Sequence, residues 1–196
     1  MPQTFIFMGQ SGSGKGEQST RLQKVLREKF PQDELLYLET GPNFRKLIAG
    51  EKYSNKLAKA ISDKGEIQPA FLPVYFWAGT LLDNLKGDEH IVFDGICRRL
   101  MEAEVFTTAM EFYDRKPIVI YIKVSRDWAI DRLTGRGRAD DKSLEMITGR
   151  LDWFDEFTMP VVDYFKTSNQ YTVLEINGEQ TKEEVEREIL QKLGWQ

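Results

Sequence analysis

The chain has 196 residues, with 27 Lys and Arg against 31 Asp and Glu, a formal charge of −4 and 41% apolar residues, enough for one substantial core and too few for two. A net negative chain excludes the broad nonspecific nucleic-acid binding that depends on many cations neutralising phosphates, and no run approaches the roughly 20 apolar residues of a membrane span. One cysteine, Cys97, and one histidine, His90, exclude an internal disulfide and a structural zinc site, so any metal is expected to be held through oxygen.

Taken in chain order, Thr4 to Met8 is a short apolar run of the kind that forms a strand, followed by helical spacing over Glu17 to Lys29. A second strand is expected at Leu35 to Leu38. Phe71, Tyr75, Phe76 and Trp77 recur at helical spacing and are expected to be core. Ile91 to Phe93 is the third strand, Met101 to Asp114 a helix, Ile118 to Val124 the fourth strand and Ser125 to Leu133 a helix. A long helix is predicted over Leu144 to Phe165, with Trp153, Phe154 and Phe157 in the core, then a fifth strand at Tyr171 to Ile176 and a helix over Lys182 to Leu193. Alternating strands and helices, with the strands apolar almost throughout, imply a single α/β domain whose parallel five-stranded sheet is covered by helices on both faces. Ligands in such sheets bind beyond the carboxyl ends of the strands. Polar clusters follow Met8, Leu38 and Phe93, which are all strand ends.

The first cluster, Gly9-Gln10-Ser11-Gly12-Ser13-Gly14-Lys15, fits the GxxxxGK phosphate loop and lies between a strand and a helix, where the mechanism requires it. Glycines let phosphate oxygens approach the backbone amides, and the following helix directs its positive end at the anion. Gly12, Ser13, Gly14, Lys15, Gly16 and Glu17 are therefore the expected binding residues for the nucleotide triphosphate, with Lys15 reaching the outer phosphates. Gly16 stands where the usual loop has a hydroxyl that holds Mg²⁺. Another oxygen has to position the metal.

GxxGxGKG followed by Gln18 resembles the adenylate kinase family and its nucleoside monophosphate kinase relatives. The rest of the chain supports the resemblance over essentially its whole length. It implies a P-loop NTPase fold, residues 1–196 as one kinase domain, a helical acceptor-binding segment over 40–69 and a short lid over 135–141 without the zinc-bearing insertion. It further implies transfer of the ATP γ-phosphoryl group to AMP, giving two ADP, with Mg²⁺ as cofactor and no zinc. By resemblance, Thr40, Gly41 and Arg45 bind the acceptor, Arg45 on its phosphate, and Ile67 lies in the turn that flanks it. Asp94-Gly95-Ile96-Cys97-Arg98 resembles Asp-Gly-Phe-Pro-Arg, with Asp94 on the water shell of Mg²⁺, Gly95 beside the acceptor and Arg98 on phosphate. Arg132 is implied to stack on the ATP base, and Arg136, Arg138 and Arg150 to contact the transferring phosphates. ATP and a nucleoside monophosphate are the expected partners, and a cytoplasmic monomer without nucleic acid or membrane is the expected setting.

Three residues depart from the family pattern. Glu17 replaces a usual Thr and is expected to face solvent, since a carboxylate beside nucleotide phosphates repels them. Cys97 replaces a proline whose peptide is often cis, which predicts a different turn before Arg98. Glu102 replaces the Gln that reads the acceptor's adenine. Ionised Glu only accepts hydrogen bonds, which leans toward guanine and leaves GMP, or CMP or UMP, as alternative acceptors; the other reading of Glu102 is a solvent-facing side chain. A GTPase is disfavoured because Asn-Lys-x-Asp is absent from the sequence, and a small-metabolite kinase because no base for a hydroxyl acceptor is evident beyond Asp94. A nucleotide-binding sensor without turnover is the reading from a different class.

Overall fold

The computed structural model describes residues 2–135 and 143–195. Five strands, β1 (Thr4–Met8), β2 (Leu35–Glu39), β3 (His90–Asp94), β4 (Ile118–Lys123) and β5 (Thr172–Asn177), form one sheet in the order β2-β3-β1-β4-β5, with every pairing parallel. Alternation across the strands divides the core between two faces. Ile6, Met8, Phe93, Val119 and Tyr121 pack with Trp77, Phe106 and Phe165 on one side. Phe5, Phe7, Val92, Ile120 and Ile122 pack with Leu22, Leu26, Val185 and Ile189 on the other. The helices behind these residues are α1 (Lys15–Lys29), α4 (Phe71–Asn84), α5 (Leu100–Phe112), α8 (Met159–Thr167) and α9 (Lys182–Lys192). A third cluster, Ala129, Leu133, Ile147 and Leu151, joins α6 (Arg126–Thr134) to α7 (Leu144–Trp153).

Chain order places β1 between β3 and β4, so the loop leaving β1 opens into the crevice where successive connections diverge. This is where doubly wound sheets bind ligands. Two further helices, α2 (Thr40–Ile48) and α3 (Tyr53–Asp63), fill the segment between β2 and α4. None of the described helices is long and apolar enough to cross a membrane.

Two expectations are corrected here. Phe71 and Tyr75 are 68% and 71% exposed, whereas Trp77 is buried; helical period alone does not say which stripe of an apolar helix meets the core. The long carboxyl-terminal helix is interrupted by a π turn at Phe154–Thr158, where the Met159 N–H donates to the Phe154 carbonyl, five residues back. Pro160 lies in the first turn of α8 and brings no N–H to the ladder, which favours a shifted register.

His90 is structural. Its Nδ1 accepts the Gln3 N–H at 3.0 Å, its Nε2 meets Asp33 Oδ2 at 3.1 Å, and its ring lies 4.8 Å from Phe30. Burial lowers its pKa, outweighing the Asp33 carboxylate, and Arg115 acts in the same direction as burial. A group with a depressed folded pKa contributes stability above its unfolded value near 6.5, and that contribution is lost as pH falls through the folded value. Thermal stability is therefore expected to decline as pH is lowered from about 7 to 5, with His90→Gln giving a flatter profile in melting experiments.

Candidate active site

After β1 the backbone folds into a loop tied to its neighbours. The Ser13 N–H donates to the Gln10 carbonyl at 3.1 Å, and the Gln10 amide donates to the carbonyls of Val124 and Ser125 at 3.1 and 3.0 Å. These bonds lash the loop to the start of α6. Gly14 caps α1 in left-handed backbone, φ 89°, and leaves the first N–H groups of the helix facing outward without a side-chain cap. Lys15 curls back so that Nζ lies 3.5 Å from the Gln10 carbonyl. The arrangement sets the uncapped N–H groups of a helix start beside one ammonium, suited to a polyphosphate.

Asp94, at the end of β3, accepts at one oxygen, Oδ2, from Ser19 Oγ at 3.3 Å and from the Tyr37 hydroxyl at 3.4 Å. A Cβ on Gly16 would stand 3.4 Å from the same oxygen, so the carboxylate lies directly beside the helix start. Asp94, Ser19 and Tyr37 offer oxygen atoms here, which fits a hydrated Mg²⁺ that keeps most of its waters. Glu17 turns away as expected. Its carboxylate pairs with Arg21 at 3.0 Å and approaches Lys182 at 3.7 Å, and the Arg21 bond holds its pKa down. Its side chain is engaged in these ion pairs on the exposed side of α1.

The turn after β3 places Gly95 at φ 74° and Cys97 at φ 55° with every peptide trans. Left-handed backbone at a residue with a Cβ costs about 1–2 kcal/mol, and this is how the chain turns without the proline. The Cys97 thiol is buried and its pKa lies well above the ordinary value, chiefly through burial. Thr40 Oγ1 donates to the Gly95 carbonyl at 3.0 Å, joining the start of α2 to this turn. Glu102 is 1% exposed, which rules out the solvent-facing alternative, and its carboxyl accepts the Arg98 N–H at 2.9 Å. Burial raises its pKa, against the pull of that N–H and of the Arg98 charge.

Lys15, Arg98 and Arg150, from three distant parts of the chain, line one cleft with Gly9, Ser11, Ile67 and Gly95. Arg45 is exposed on α2, with its guanidinium beside Gly41, and is not among the lining residues. Arg132 lies in the last turn of α6 with its guanidinium 5.8 Å from the Trp128 ring. Arg136 and Arg138, and most of the 135–141 lid, lie outside the described residues. Sequence reasoning missed Ser11 and Thr158 on the cleft wall, and assigned Trp153 and Phe154 to the core although they also border it. Thr158 carries no motif; only the π turn brings it there.

A phosphate loop at a strand end, a carboxylate on the adjacent strand and cations converging from elsewhere in the chain define a P-loop phosphotransferase. A family model described as adenylate kinase matches residues 7–170. Among curated proteins, an adenylate kinase from Prochlorococcus marinus is 31% identical over 196 residues, 99% of this chain and 100% of its own. One from Flavobacterium psychrophilum is 29% identical over 189 residues, 94% of both chains, and one from Stenotrophomonas maltophilia 30% over 192, 94% and 96%. The chain belongs to the adenylate kinase family and is an enzyme of the nucleoside monophosphate kinase type.

Proposed function

We propose that the enzyme moves the γ-phosphoryl group between Mg²⁺-ATP and AMP, with ATP on the loop after β1 and AMP on the α2 and α3 side of the cleft. The observation that carries this reading is the convergence of Lys15, Arg98 and Arg150 on one cleft. Two polyanions repel as they approach, and fixed cations offset both that repulsion and the charge spread over the moving group. Lys15 serves the outer phosphates of ATP. Arg98 and Arg150 serve the acceptor phosphate and the group in flight, their planar forks matching phosphate oxygens. By resemblance, Arg45, Arg136 and Arg138 add further positive charge around the transferring group, and Thr40, Gly41, Ile67 and Gly95 flank the acceptor.

Asp94, with Ser19 and Tyr37 behind it, holds the water shell of Mg²⁺. The ion supplies charge neutralisation between the phosphates. A general base is unnecessary, because a nucleotide phosphate with a second pKa of about 6 is largely ionised at neutral pH; the only histidine is locked in the structural contacts of β3. Movement of the 40–69 segment over the bound nucleotides excludes water, so that the γ-phosphoryl group passes to the acceptor and not to solvent. ATP as donor supports a cytoplasmic setting.

Purified enzyme supplied with Mg²⁺-ATP and each of AMP, dAMP, GMP, CMP and UMP is expected to form ADP fastest with AMP. Tight ATP binding without turnover of any acceptor overturns the reading in favour of a sensor.

A further inference from the structure

The Arg98 peptide is gripped at both ends. Its N–H donates to Glu102 Oε2 at 2.9 Å, and its carbonyl accepts from Thr158 Oγ1 at 3.1 Å. One residue earlier the chain is left-handed at Cys97, and the Gly95 carbonyl accepts from both Thr40 Oγ1 and Arg98 Nε. Left-handed backbone at a residue with a side chain persists only where its surroundings over-determine it. Here α2, α5 and the π turn each contribute one such restraint, and the restraint from α5 is Glu102.

We propose that Glu102 is a positioning residue that holds the Arg98 peptide so that the guanidinium is delivered to the acceptor phosphate, and that it does not read the acceptor base. Reading a base requires an accessible oxygen. The Glu102 side chain is 1% exposed and its Oε2 is already occupied by a peptide N–H. The position also fits the role, because Glu102 is the third residue of α5, from which a side chain reaches back over the start of its own helix. A carboxylate makes this bond with charge assistance, and a glutamine oxygen makes the same bond more weakly. The guanine preference expected from an accept-only side chain therefore does not arise, in keeping with the adenylate kinases that this chain resembles.

The proposal rests on Arg98 touching acceptor phosphate, and a variant series separates the two. Glu102→Ala is expected to lower kcat about 10- to 100-fold, with KM for ATP unchanged and the AMP to GMP ratio of kcat/KM within about threefold of the parent. Glu102→Gln should restore most of the loss through its amide oxygen. Added to Arg98→Ala, Glu102→Ala should cost less than about threefold more, because a positioning residue has nothing left to position. A change of more than about tenfold in the AMP to GMP ratio for either Glu102 variant makes it a base reader and overturns the proposal. Equal cost in the presence and absence of Arg98, or full activity of Glu102→Ala, also overturns it. Should Glu102→Ala fail to fold, Glu102→Met, which keeps the bulk of the side chain and removes the accepting oxygen, carries the same comparison alone and with Arg98→Ala. Full activity of Arg98→Ala by itself refutes the phosphate assignment and not the grip on the peptide.

Discussion

Lys15→Met is expected to lower kcat by about 10²- to 10³-fold, equivalent to roughly 3–4 kcal/mol of lost transition-state stabilisation, while the protein melts within a few degrees of the parent. Lys15 stands at the start of α1 with its ammonium curled over the loop toward the Gln10 carbonyl, and it shares the cleft with Arg98 and Arg150. Charge on the outer phosphates grows as the bridging bond breaks, so the ammonium acts more on the transition state than on bound ATP. The loss should therefore fall mainly on kcat, with KM for ATP rising much less. Lys15→Arg keeps the charge but presents a wider planar fork in a loop shaped for a point donor, and is expected to restore little. Steady-state kinetics with melting curves decide the matter; a KM effect alone would assign Lys15 to ground-state binding.

The sheet and the phosphate loop were legible in the sequence for a physical reason. Strands buried on both faces are apolar throughout, and a loop that must expose amides to an anion needs glycine at fixed spacing. Four of the five predicted strands differ by one residue at one or both ends, and Thr4–Met8 stands as read. What could not be read is what depends on register between distant elements. Phe71 and Tyr75 share a helix with Trp77, and only the packing of α4 on α5 and the sheet decides that the first two are exposed. Glu102 has the spacing of a base reader, yet its oxygen is spent on the Arg98 peptide because Cys97 turns left-handed. Thr158 reaches the Arg98 carbonyl through a π turn that no local pattern marks.

The glycines of the loop separate two requirements that the motif merges, and this separation gives the second large effect. A Cβ on Gly12 would stand 2.9 Å from the Ala129 carbonyl oxygen and 3.1 Å from Ala129 Cα, with φ at 86°. Both neighbours are backbone of α6, so neither can rotate aside. Gly12→Ala therefore combines a left-handed conformation with overpacking, about 2–5 kcal/mol together, and is expected to lower the melting temperature by roughly 5–15 °C even without nucleotide. Gly14 is as left-handed, φ 89°, but nothing lies within 4 Å of where its Cβ would be. Protein packing imposes no demand there, and the open space is what a phosphate oxygen needs as it approaches the amides that follow. Gly14→Ala is thus expected to cost only about 1–2 kcal/mol of stability, from the backbone conformation, yet to weaken ATP binding tenfold or more by placing a methyl group on the anion's path. Melting curves and ATP titrations on the two variants test the contrast directly. If Gly14→Ala binds ATP as the parent does, the amides after Gly14 do not cradle the phosphates, and the assignment of donor and acceptor sides across the cleft has to be reversed.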